Sequence, residues 1–178
     1  MKVPYLDLNF QTEQVADDFH REVKELVNGN QFIGGARVES FERAWAEYCG
    51  TDYCVALNSG TDALRIALQA VGVGPEDEVI TSPFTFIATA EAVSQTGRLV
   101  LADVDPETFT LDPESVRVKI NTATRAVVPV HIFGLASDMP ALQKIAGEFG
   151  LGLVEDSCQA HGASIQGRKA GAMGSAGA

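Results

Sequence analysis

The chain has 178 residues, which is long enough for one domain with a hydrophobic core. Its formal net charge of −11 argues against nucleic acid as a partner, but not against a small anionic ligand held by a few local donors. The sequence predicts a cytoplasmic protein with neither a metal site nor a membrane partner. Its three cysteines lack metal-type spacing, its start lacks the apolar core of a signal peptide, and its longest nearly apolar run covers only residues 126–136.

Two amphipathic helices are predicted before residue 50. The first runs from Thr12 to Asn28, where apolar residues recur at helical spacing. These residues are Val15, Phe19, Val23, Leu26 and Val27. Glycines interrupt the pattern, and the second helix is predicted from Arg37 to Tyr48.

Strands and helices alternate over the rest of the chain. Strands are predicted at Tyr53–Leu57, Glu78–Thr81, Arg98–Val104, Arg125–Val130 and Leu151–Glu155. Helices are predicted at Thr61–Val71, Thr85–Thr96 and Asp138–Phe149, and a polar hairpin with a glycine-rich loop at Ser164–Gly174. This alternation predicts an α/β fold with a mainly parallel sheet and helices on both faces, in one domain without a linker.

The segment from Asn58 to Asp62 lies between a predicted strand and a predicted helix. Gly60 would let the backbone approach a ligand closely, and the free amides at the helix start would attract an anion. The hydroxyl of Thr61 could add a hydrogen bond. The alternative is an ordinary N-cap supplied by Ser59, Thr61 or Asp62. The loop does not match the glycine fingerprints of dinucleotide or nucleoside triphosphate binding.

Three more loops follow predicted strands. In the first, Phe86 could stack on a flat heterocycle or belong to the core, whereas Phe84 is expected in the core. Asp103 and Asp105 are expected to be turn or cap residues rather than site residues. His131 is expected to hold its surroundings by hydrogen bonds rather than to act as a catalytic base.

The segment from Val154 to Gly162 carries the strongest signal. Asp156 follows a predicted strand, at the edge of a parallel sheet where crevices open, and Gln159 comes one helical turn later. Such an acid can pair with a protonated ring nitrogen, although an exposed Asp that caps the next turn is the alternative. Together, the phosphate cradle, the aromatic platform and the acid–amide pair suit a phosphorylated heteroaromatic cofactor with a basic ring nitrogen.

The sequence also resembles the DegT/DnrJ/StrS family of pyridoxal phosphate (PLP)-dependent aminotransferases, which act on nucleotide sugars. The matching segments span almost the whole chain in the family's order: FIGGARVESFERAWAEYCG, NSGTDAL, TSPFTFIATAEAV, ADVDPETFTLDPE, VPVHIFG and VEDSCQAHGA. The resemblance implies the large domain of a fold-type I PLP-dependent transferase. It also implies a homodimer, a nucleotide-sugar substrate and an amino-acid donor, glutamate or glutamine.

The resemblance further implies a role for five residues, taken position by position. Asp156 would pair with the pyridine nitrogen of PLP, and Gln159 would contact the ring hydroxyl. Phe86 would stack on the ring. Gly60 and Thr61 would hold the phosphate.

The family's Schiff-base lysine has no counterpart in the sequence, since its position lies past Ala178. Lys169 is not expected to replace it, because it sits beside Arg168 in the polar hairpin. We therefore expect residues 1–178 to form the amino-terminal part of the large PLP-binding domain, truncated before the small C-terminal domain and inactive alone.

Three other functions fit the sequence less closely. A PLP-dependent sugar dehydratase of the same family would carry His where the aminotransferases carry that lysine. A non-catalytic cofactor-binding module, or a subunit completed by a second chain, is the next alternative. A dinucleotide-binding oxidoreductase is the weakest, because no glycine fingerprint follows the first strand.

Overall fold

The computed structural model describes residues 3–178, which form three helices, then strands and helices in alternation, and finally a run of short strands. The helices are α1 (Asn9–Asn28), α2 (Ala36–Cys49), α3 (Gly60–Ala70), α4 (Ile87–Ser94), α5 (Pro113–Lys119) and α6 (Met139–Phe149), with a 3-10 turn at Ile132–Gly134. The strands are β1 (Glu78–Thr81), β2 (Arg98–Leu101), β3 (Thr124–Val128), β4 (Gly152–Glu155), β5 (Ser164–Ile165), β6 (Arg168–Lys169) and β7 (Ala176–Gly177). Among these described residues, no helix is long and apolar enough to cross a membrane.

The chain divides into two compact units, Met1–Phe41 and Glu42–Ala178, with the boundary inside α2. In the first unit, α1 has the predicted apolar spacing but begins at Asn9 rather than Thr12. Its apolar stripe is exposed except at Leu26, which is partly buried, and none of the helix's residues is fully buried. Arg37 donates to Glu25 at 2.7 Å and also contacts Glu22, so an ion-paired cluster ties the start of α2 to α1.

The second unit contains a five-stranded parallel sheet in the order β2-β1-β3-β4-β7. Alternate side chains of its strands enter two separate cores, as expected for a sheet covered on both faces. Val79, Ala126 and Val154 pack with α3 and α4. Ile80, Val127 and Leu153 pack with α5 and α6. The predicted fold class, a mainly parallel α/β sheet with helices on both faces, is confirmed.

One predicted element is absent, and one helix of the structure was not predicted. Residues 53–57 form no strand, and Tyr53 and Val55 are 86% and 72% exposed. A strand requires a neighbour for its backbone hydrogen bonds; within the described chain, the Ala56 amide instead donates to the Glu42 side chain at 2.8 Å. The helix α5 was not predicted, because its seven residues are too few to show a helical period.

The hairpin at the end of the chain is present. β5 and β6 pair antiparallel, and the residues between them, Gln166 and Gly167, both have positive φ angles of 51° and 80°. Positive φ at both central residues is typical of the tight turns whose twist matches that of the flanking strands.

Candidate active site

A cleft of about 220 Å³ opens beyond the carboxyl ends of β1, β3 and β4 in the second unit. Parallel strands bring these ends to one edge, so loops that are distant in sequence meet there. The lining residues are Gly60, Thr61, Leu64, Thr85, Phe86, Ala88, Thr89, Val130, Asp156, Cys158 and Gln159. They include every residue that the sequence analysis assigned to the cofactor. The cleft is smaller than the roughly 300–1,000 Å³ of a drug-sized ligand pocket.

Asp156 is the buried acid of this cleft, with only 6% of its surface exposed. It directly follows β4, and its backbone bridges to Val130 beyond β3. Its Oδ2 accepts a hydrogen bond from the Thr89 hydroxyl at 2.7 Å, and its Oδ1 accepts one from the Cys158 amide at 3.3 Å. These bonds orient the carboxylate, which retains acceptor sites for a ligand because its two oxygens offer about four.

Thr85, which lies just before α4, and Thr89, in the first turn of α4, extend this contact and were missed by the sequence analysis. Their hydroxyl oxygens lie 2.7 Å apart. Because Thr89 uses its one proton on Asp156, Thr85 must be the donor in this pair. The i, i+4 spacing of two threonines at the start of a helix was the signal available in the sequence.

The N-terminus of α3 forms a second side of the cleft. Ser59 is the N-cap, and its Oγ accepts from the Asp62 amide at 3.1 Å, so the capping alternative holds for Ser59 rather than for Thr61 or Asp62. The first backbone donor of the helix is the Ala63 amide, which bonds to the Ser59 carbonyl, so the amides of Gly60 and Thr61 have no intrahelical acceptor and could bind an anion. A Cβ atom at Gly60 would lie 2.9 Å from the Cys158 sulfur, so glycine permits the close approach of these two segments.

Cys158 lies beside this helix start without adding negative charge to it. Partial burial of the thiol, the neighbouring Asp156 carboxylate and a hydrogen bond with it raise the pKa of Cys158 to about 12. The thiol is therefore protonated near neutral pH. It cannot repel an anion at the α3 N-terminus, nor act as a thiolate nucleophile.

The two phenylalanines of the loop before α4 have different surroundings. Phe86 lines the cleft and is 68% exposed. It is the N-cap of α4 rather than a residue of its first turn, since the helix begins at Ile87. The prediction that Phe84 belongs to the core is wrong, because Phe84 is 41% exposed. Its ring lies 5.9 Å from that of Phe109 and 6.0 Å from that of Phe133. The loop projects beyond the end of β1, so its side chains lie outside the sheet core.

Gln159 is exposed at the mouth of the cleft. Its Oε1 accepts from the Phe133 amide at 3.3 Å, which leaves its side-chain Nε2 as a donor for a ligand.

Other polar residues considered in the sequence lie outside the cleft. Asp105 accepts hydrogen bonds from the amides of Thr108 and Glu107. These bonds hold the pKa of Asp105 below its usual value. Asp103 likewise accepts from the next amide. Asp105 therefore stabilises a turn, as expected, whereas the Asp103 side chain hydrogen-bonds only to its neighbour among the described residues. The Lys169 Nζ lies 3.1 Å from the centroid of the Tyr48 ring and does not line the cleft.

His131 is fully buried and hydrogen-bonds to Glu155 and to the Ser137 amide, whereas the expectation that it is not a catalytic base stays a prediction. Its partner Glu155 was missed. Burial alone would raise the pKa of Glu155, but hydrogen bonds from His131 and from the amides of Gly171, Gly174 and Met173 outweigh it and lower this pKa. A glutamate at the end of a buried strand was the sequence signal, because an acid is rarely buried unless it is paired.

Known proteins share this fold and sequence. The DegT/DnrJ/EryC1/StrS aminotransferase family model matches residues 13–178. A dTDP-3-amino-3,4,6-trideoxy-alpha-D-glucose transaminase of Streptomyces venezuelae is 42% identical over 172 residues, which are 96% of this chain and 45% of that protein. This chain thus spans about half the length of the relatives it matches.

Two solved structures resemble the chain closely. The X-ray structure of S. venezuelae DesV superposes with a TM-score of 0.92 at 41% identity, covering 96% of this chain and 46% of that one. The structure of NtdA from Bacillus subtilis, with bound cofactor PMP (pyridoxamine phosphate), superposes with a TM-score of 0.89 at 35% identity, covering 96% and 40%. On its sequence and its fold, this chain belongs to the DegT/DnrJ/EryC1/StrS aminotransferase family.

Proposed function

We propose that this protein is a PLP-dependent aminotransferase that transfers an amino group from an amino acid, glutamate or glutamine, to a keto sugar linked to a nucleoside diphosphate. The observation that carries the proposal is the buried Asp156 carboxylate in a cleft that also holds a helix N-terminus and an exposed aromatic ring. The name of the S. venezuelae relative and the PMP bound to the B. subtilis neighbour support it.

The cleft residues fit the chemical parts of PLP. The free amides of Gly60 and Thr61, with the Thr61 hydroxyl, suit the phosphate. The exposed Phe86 ring suits stacking on a pyridine ring, and the free Nε2 of Gln159 suits its hydroxyl oxygen. Asp156 would hold a proton at the ring nitrogen, in an orientation set by Thr89. When bound, PLP supplies a protonated ring that accepts electrons from the substrate.

Titration with PMP tests the cofactor site directly, because PMP has an amine in place of the aldehyde and binds without a covalent bond. We expect saturable quenching of PMP fluorescence. Phe86→Ala should weaken binding by about 0.5–1.5 kcal/mol, the usual range for an aromatic pair. Asp156→Ala should weaken it by about 1.5–3 kcal/mol, the range for a hydrogen bond to a charged group.

Two matched variants serve as controls. Phe84→Ala removes a similar exposed ring of the same loop that does not line the cleft, and it should leave PMP affinity unchanged. Asp112→Asn changes a carboxylate that caps α5 and should behave likewise. Absence of saturable binding, or an equal loss in Phe84→Ala and Phe86→Ala, would contradict the proposal.

A further inference from the structure

Glu155 and His131 form a pair directly behind Asp156, with no exposed surface on either side chain. The His131 Nε2 lies 2.9 Å from the Glu155 Oε2. The Ser137 amide donates to the His131 Nδ1 at 3.0 Å, so this nitrogen carries no proton and Nε2 is the donor to Glu155. The pair is therefore a neutral imidazole hydrogen-bonded to a carboxylate.

Glu155 also accepts three backbone amides from the glycine-rich loop. The amides of Met173 and Gly174 reach its Oε1 at 2.6 and 2.5 Å, and the amide of Gly171 reaches its Oε2 at 2.9 Å. With His131, four donors converge on one carboxylate and occupy its acceptor sites. One side chain thus determines the path of residues 171–174, which lead into β7.

The backbone around Asp156 is held from both sides. On one side, the Asp156 amide donates to Pro129 and the His131 amide donates to the Asp156 carbonyl, each at 2.9 Å. On the other, the Ala178 amide donates to the Glu155 carbonyl at 2.9 Å, and the Ser157 amide donates to the Ala178 carbonyl at 2.7 Å. Both members of the buried pair therefore adjoin the backbone bonds that place Asp156.

We infer that Glu155 and His131 are positioning residues: the pair fixes the glycine-rich loop and β7 against β4, and thereby holds Asp156 in place in the cleft. The inference rests on the proposed function only in that Asp156 is taken to face the cofactor. The anchoring of the loop can be measured without any ligand.

Hydrogen exchange of the loop amides in the ligand-free protein tests the anchoring. A glutamine at position 155 has one acceptor oxygen and presents an NH₂ group to donors on its other side. In Glu155→Gln, we expect the amides of Gly171, Met173 and Gly174 to exchange at least about tenfold faster, the factor that corresponds to losing one hydrogen bond to a charged group. The Asp156 amide should also exchange faster.

Thr81→Val is the matched control, because it removes another buried hydrogen bond of the same sheet, from the Thr81 hydroxyl to the Val128 carbonyl at 2.7 Å. It should lower global stability, and the exchange of the loop amides should accelerate no more than that of the β3 amides. In Glu155→Gln, the Kd for PMP should rise about tenfold or more, and nitrogen NMR of ring-labelled PMP should show a less protonated ring nitrogen. In Thr81→Val both quantities should stay at their wild-type values.

Equal loop exchange in Glu155→Gln and Thr81→Val, or an unchanged Kd and ring signal in Glu155→Gln, would overturn the inference. If Glu155→Gln does not fold, the wild type still decides: loop amides that exchange as fast as the Gly167 amide of the exposed hairpin turn would refute anchoring. His131→Phe should give a smaller acceleration than Glu155→Gln. If the wild type does not bind PMP, the proposed function fails, and loop exchange alone decides whether the pair anchors the loop.

Discussion

Replacing Thr89 by valine would test whether the orientation of Asp156 depends on one hydroxyl. Thr89 is 1% exposed and donates to the Asp156 Oδ2 at 2.7 Å. Valine has nearly the same shape, so the change opens no cavity; it removes the hydrogen bond to Asp156 and also the acceptor of the weaker neutral bond from Thr85. A hydrogen bond to a charged group contributes about 1.5–3 kcal/mol, and we expect a loss of this size in the free energy of unfolding.

Thr85→Val is the matched control for this prediction. It removes the donor to the Thr89 hydroxyl, but Thr85 is only partly buried and the bond from Thr89 to Asp156 remains. A neutral hydrogen bond contributes about 0.5–1.5 kcal/mol, and partial exposure to water should keep the loss near the lower end. The two variants therefore separate the charged bond from the neutral one.

Urea unfolding and PMP titration of both variants would measure the effect. Thr89→Val should lose stability and PMP affinity together, whereas Thr85→Val should lose little of either. In an Asp156→Ala background, Thr89→Val should have a much smaller effect, since its acceptor is gone. A loss below about 0.5 kcal/mol in Thr89→Val, or an equal loss in Thr85→Val, would refute the reasoning.

Four further outcomes are expected. Gly60→Ala should destabilise the protein by about 0.5–1.5 kcal/mol, because its Cβ would force the exposed Cys158 side chain from its rotamer, and Cys158→Ala in the same chain should recover most of this loss in urea unfolding. Ser157→Ala should be neutral or stabilising by up to about 1 kcal/mol, because the buried Ser157 hydroxyl has no hydrogen-bond partner among the described residues; a clear loss of thermal stability would show that it has one. The folded-state pKa of Glu155 is lowered from 4.5, so the ionised side chain contributes to the free energy of unfolding above that pH. This contribution is lost as the pH falls through the folded-state pKa. The free energy of unfolding should accordingly fall less steeply with acid in Glu155→Gln. Residues 1–178 by themselves should show no transaminase turnover with glutamate and a keto sugar nucleotide, because no lysine of the described residues lines the cleft; measurable turnover would contradict this.

Much of the fold could be predicted because its signals are local. The apolar spacing of α1, α2 and α6 lies within each helix, and the apolar runs of β1, β3 and β4 are continuous. The alternation of these elements then implies a parallel sheet. Since the loops after parallel strands open at one edge, the sequence also predicted which segments would meet there. The five predicted cofactor residues do line one cleft, while their roles stay predictions.

Two of the remaining errors concern an interaction with a distant part of the chain, and the third concerns a short helix. The alternation of Tyr53, Val55 and Leu57 is typical of a strand, but a strand exists only where a neighbour supplies its hydrogen bonds. Phe84 is apolar, but whether its ring lies in the core depends on where the loop after β1 projects. The signals for α5, Asp112 as N-cap and Pro113 in the first turn, were present but local and brief.

The sequence by itself determined the periodicity of the elements, the loops that reach the sheet edge and the family to which the chain belongs, because these follow from neighbouring residues or from their order. Only the tertiary structure decided which polar groups share the interior. Thr89 meets Asp156 from 67 residues away, and the Met173 and Gly174 amides reach Glu155 from 18 and 19 residues away. Such convergence leaves no periodic trace in the sequence. It is nonetheless required, because a buried carboxylate is stable only where donors from the surrounding fold satisfy it.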